Sequence, residues 1–126
     1  MKKLLRLTSV AVALLFAVAL DASAETLTGT FEGRSDHVVR GTVTIEPVGG
    51  GYQVVLSEDF FLDGAPDPKL AFGQDGIAED TIFVPLGENT GSQTYALPDT
   101  IDPTQYNEFY VWCEQFSVPL GFASLN

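Results

Sequence analysis

The chain has 126 residues, with six Lys and Arg against 17 Asp and Glu and a net charge of −11. That balance excludes charge-driven binding to nucleic acid or to an anionic membrane surface, since both need a basic footprint. One Cys excludes an internal disulfide. One His excludes, within a single chain, the two-histidine blue-copper set and the zinc sets of two Cys with two His or of four Cys.

Residues 1–24 read as a secretory signal peptide. Lys2, Lys3 and Arg6 make a basic start, and Val10 to Leu20 is an apolar run too short to span a bilayer comfortably. Ala22-Ser23-Ala24 then supplies the small-x-small pattern that signal peptidase accepts. Cleavage after Ala24 predicts a soluble, periplasmic or secreted domain over 25–126, with no membrane insertion. Of the acids, only Asp21 leaves with the signal, whereas Arg34, Arg40 and Lys69 are the only bases retained. The mature domain is therefore strongly acidic, which reads first as solubility and next as a docking surface for a basic redox partner or as a cation site.

From there the chain reads as strands, with period-2 alternation broken by Gly, Pro and Asp clusters. Leu27, Gly29 and Phe31 alternate with threonines. His37, Val39, Gly41, Val43 and Ile45 share a parity, and Tyr52, Val54 and Leu56 follow Gly49-Gly50-Gly51 as the second arm of a hairpin. Leu70–Gly73, Thr81–Leu86, Gln93–Leu97, Glu108–Cys113 and Gln115–Phe122 are the remaining candidates. In the last, Phe116, Val118, Leu120 and Phe122 are expected on one face, with Pro119 marking an edge or a bulge. No window holds a helical period. The expectation is all-β: a single antiparallel β-sandwich or barrel-like domain of about seven to nine strands.

Four residues could carry chemistry. Cys113 shares parity with Phe109 and Val111, while Tyr110 and Trp112 point the other way. A free Cys on such a strand packs as a small hydrophobe, or else binds a metal or haem iron or cycles through oxidised forms. His37 is the only imidazole, either a structural residue or a co-ligand to Cys113. Asp63 and Asp67, in the stiff loop Asp63-Gly64-Ala65-Pro66-Asp67-Pro68, offer carboxylates for calcium, although their spacing is not that of an EF-hand. A conventional hydrolase is disfavoured: no G-x-S-x-G elbow is present, and only His37 could serve as its base.

Several segments together resemble the DM-13 domain family, small secreted modules often found beside DOMON domains. Gly29-Thr30-Phe31 with His37 to Val43 resembles its opening. Phe60 to Asp67, running on to Leu70 and Phe72, resembles its Phe-led run into a Pro-Asp pair. Gln93 to Pro98 resembles its Y-x-L-P turn, and Val111-Trp112-Cys113 followed by Phe116-Ser117-Val118 resembles its V-W-C-x-x-F-x-V signature. The resemblance spans Gly29 to about Leu125. It implies an all-β redox or electron-transfer module in which Cys113 is the redox or cofactor-linked residue, with a separate redox partner protein.

The combined expectation is a monomeric electron-transfer domain centred on Cys113. A haem or metal would be held through Cys113, with His37 as co-ligand. The rival reading is a non-catalytic envelope or cell-surface interaction module with Cys113 buried in its core.

Overall fold

The computed structural model describes residues 24–126, and the expected signal peptide lies outside the described residues but for Ala24. Ten strands form: β1 (Leu27–Gly33), β2 (Val39–Arg40), β3 (Thr42–Val48), β4 (Gly51–Leu56), β5 (Phe61–Leu62), β6 (Pro68–Gly73), β7 (Val84–Pro85), β8 (Gln93–Ala96), β9 (Glu108–Cys113) and β10 (Val118–Ser124). Two one-turn 3₁₀ helices, Glu79–Thr81 and Pro103–Gln105, punctuate the loops. Eight strands make one antiparallel sheet in the order β7-β6-β9-β10-β1-β3-β4-β8, while β2 and β5 pair separately. The sheet curls until its two margins meet, where the Gly87 amide donates to the Tyr95 hydroxyl at 2.8 Å. The all-β, barrel-like expectation is met.

Alternation decides what lies inside. Phe31, Val43, Ile45, Val54, Leu56, Leu70, Phe72, Phe109 and Val111 are almost fully buried and form one cluster. Each such side chain contributes about 1.5–3 kcal/mol on leaving water. The hairpin of β3 and β4 turns at Gly49 and Gly50, with φ of +55° and +84°. Two positive φ values in a two-residue loop match the twist of the flanking strands, which is why glycine occupies both places.

Three expectations needed correction. The run from His37 to Ile45 is not one strand: it breaks at Gly41, and His37 lies in the loop before β2. Thr81–Leu86 holds the end of a 3₁₀ turn and only two residues of strand. The last strand begins at Val118, because 114–117 is a turn, and Phe116 is 61% exposed. The bulge expected near Pro119 is present, as the pairing of β10 with β9 shifts between Pro119 and Gly121. The shift flips parity, so Leu120 and Ala123 face the core while Phe122 faces outward.

Strand register also sorts the charges. Cys113 sits at the end of β9 where Pro68 and Val118 are its neighbours on the adjacent strands. Arg34, Arg40 and Lys69 all lie toward this end, among acids that include Glu32, Asp36, Asp63, Asp67 and Glu114. The other end carries Asp75, Glu79, Asp80, Asp99, Asp102 and Glu108, with no Lys or Arg among the described residues there.

Candidate functional site

Cys113 lies on the core face of β9, as its parity requires, and is 1% exposed. It belongs to the same apolar cluster as Leu62, Leu70, Val111 and Leu120. The turn that follows it is tied down from both sides. The Glu114 amide donates to the Asp67 carbonyl at 3.2 Å, and the Ser117 amide donates to the Glu114 carbonyl at 3.3 Å.

His37 takes another direction. Its Nδ1 is 2.8 Å from Asp63 Oδ1. The other carboxylate oxygen of Asp63 accepts from the Val38 amide at 3.1 Å, and the Asp63 amide returns a bond to the Val38 carbonyl. Asp63 thus pins the β1–β2 loop to the β5–β6 loop. The hydrogen bond from His37, with that of the Val38 amide, holds the Asp63 carboxyl below its ordinary value. Asp67 is engaged elsewhere. Its Oδ1 is 3.2 Å from Lys69 Nζ, which also reaches Glu114 Oε1 at 3.0 Å. The bonds to Glu114 and Asp67 raise the Lys69 ammonium above its ordinary value. Both aspartates therefore serve as partners of basic side chains, one of His37 and one of Lys69. Among the described residues no three of His, Cys, Asp and Glu gather as a metal-ligand group.

Residues 30–125 match the family described as Electron transfer DM13. The chain belongs to the DM13 family. No curated protein and no solved structure matches it.

The span of the DM13 match includes Cys113, His37, Asp63 and Asp67. Held against this geometry, a haem or metal on Cys113 does not fit. The thiol is enclosed by apolar side chains, and no buried side-chain nitrogen or oxygen among the described residues lacks a hydrogen-bond partner. A site awaiting an ion usually leaves such an orphan. Two hollows on the surface, of about 540 and 470 Å³, are lined by Thr28, Thr30 and Thr44 and by Tyr52, Asp99 and Thr104, away from Cys113.

A further group in this DM13 domain escaped the sequence reading. On the opposite face of β9, Tyr110 and Trp112 form a second buried cluster with Ala71, covered in part by Ile77, Ile82 and Phe122. Parity placed both rings on this face, but no periodicity announces that the segment 74–83 folds back over them. Thr81 fastens that segment: its hydroxyl accepts from the Phe72 amide at 2.8 Å and lies within bonding distance of the Phe72 and Ala78 carbonyls, at 3.0 and 2.6 Å.

Proposed function

We propose that the chain is a periplasmic or secreted electron-transfer domain whose redox role centres on Cys113. One observation carries this reading: membership of the DM13 family over a span that includes that Cys. The basic start, apolar run and Ala22-Ser23-Ala24 site support the exported location. The partner is a separate redox protein.

Burial of the thiol favours a second reading, an envelope or surface interaction module in which Cys113 serves packing alone. One experiment separates the two. The mature protein and Cys113→Ser are exported to a periplasm, checked by absorption spectrum and metal analysis, and titrated electrochemically. The electron-transfer reading expects a reversible redox response that the Ser variant loses while keeping its fold. A Ser variant with an undiminished response overturns the role of Cys113. A redox-silent, colourless wild type leaves the interaction module, which also expects the thiol to resist reagents until the protein is denatured.

A further inference from the structure

The aromatic cluster on the outer face of β9 is more elaborate than a cover requires. Tyr110 and Trp112 meet edge to face, with centroids 6.3 Å apart and an interplanar angle of 89°. Tyr110 also stacks on Phe122 at 5.9 Å. An apolar patch on a small domain needs neither a phenol nor an acid beneath it. Here the Tyr110 hydroxyl donates to Glu108 Oε1 at 3.1 Å, and the same oxygen accepts from the Gly76 amide at 2.9 Å. Room for the ring is built into the neighbouring strand, since a Cβ on Gly73 would lie 2.6 Å from Tyr110 Cε2. Trp112 is 7% exposed and Tyr110 8%, so both are shielded yet lie directly beneath the surface. Trp112 also precedes Cys113 in the chain.

We propose that Trp112, Tyr110 and Glu108 form a one-electron relay on the outer face of β9. The proposal rests on the electron-transfer reading and deepens it. An outer-sphere one-electron acceptor at the surface takes an electron from the Trp112 indole, leaving its radical cation. Tyr110 passes an electron to that indole, and its hydroxyl proton moves to the Glu108 carboxylate. Trp112 is then neutral again, Tyr110 is a neutral phenoxyl radical, and Glu108 is a carboxylic acid. An electron from a one-electron donor, with the proton returned by Glu108, restores the phenol.

The geometry suits each step. An oxidised phenol is a strong acid and must shed its proton at once, so a hydrogen-bonded base has to be in place beforehand. Burial and the neighbouring carboxylate push the Tyr110 phenol up to about 12, which keeps it protonated, with its proton aimed at Glu108, until oxidation.

The test is flash photolysis of the mature protein with photogenerated tris(bipyridine)ruthenium(III), read by transient absorption and electron paramagnetic resonance. In wild type an indole radical should give way to a phenoxyl radical. Tyr110→Phe should leave the indole radical long-lived, and Trp112→Phe should lose most of the phenoxyl yield. Glu108→Gln keeps an acceptor oxygen for Gly76 but removes the base, and should slow phenoxyl formation by about 100-fold. Tyr95→Phe, on the far edge of the sheet, should behave as wild type. A phenoxyl yield unchanged in Tyr110→Phe, or a rate unchanged in Glu108→Gln, overturns the relay. None of these variants alters Cys113, so failure here is distinct from failure of the Cys113 titration.

Discussion

At the scale of single residues, the Cys113 end of the molecule is held by carboxylates that each take a specific donor. Asp63 joins two loops through His37 Nδ1 and the Val38 amide, and its carboxyl is held below the ordinary value by those bonds. A lowered carboxyl contributes stability that is present above its ordinary pKa and is lost as pH falls through the lowered one. Asp63→Asn should therefore lower the melting temperature near neutrality and flatten its fall as pH drops below about 4, where wild type loses the same contribution. An unchanged acid limb would show that the pairing contributes nothing there. The parity of Cys113 was legible from Phe109 and Val111 alone, and so was the outward direction of Trp112. The His37–Asp63 bond was not, because it joins residues 26 apart in two loops without periodicity. Only folding shows that Asp63 and Asp67 answer to basic side chains rather than to each other.

At the scale of elements, β9 joins both clusters, with Phe109, Val111 and Cys113 on one face and the Tyr110–Trp112 pair on the other. The segment 74–83 closes over the outer pair, and the Thr81 hydroxyl is its buried side-chain tie to β6. Thr81→Val keeps the shape but removes the acceptor of the buried Phe72 amide. Leaving that donor unpaired should cost about 1–3 kcal/mol. The segment should then lift, shifting Trp112 fluorescence to the red and speeding exchange of the Ala78 amide, whose acceptor is the Phe72 carbonyl. A variant as stable as wild type, with unmoved emission, would deny Thr81 this role. Elements with long alternation, such as β3, β4 and β9, could be read directly from the chain. What escaped is what alternation does not encode: the two-residue pairing of β2 with β5, the turn that exposes Phe116, and the bulge that reverses β10 after Pro119. A bulge was foreseeable from Pro119, but its effect on parity depends on which strand absorbs the extra residue.

At the scale of the whole molecule, the charge is both large and unevenly placed. An excess of carboxylates repels itself in the compact state. Raising sodium chloride from a few millimolar to about 0.15 M, where the Debye length is about 8 Å, should raise the melting temperature. A fall instead would mean that the ion pairs of Lys69 and Arg34 outweigh the repulsion. The segregation of Arg34, Arg40 and Lys69 toward the Cys113 end has a different result. It leaves the carboxylate-only end the more negative of two acidic ends. A positively charged object approaching from any side exerts a torque that turns that end toward it, and an anionic surface exerts the reverse. Both ends remain net acidic, so a cationic neighbour is attracted to either but more strongly to the carboxylate-only end, and the end bearing Cys113 is the one it meets less often.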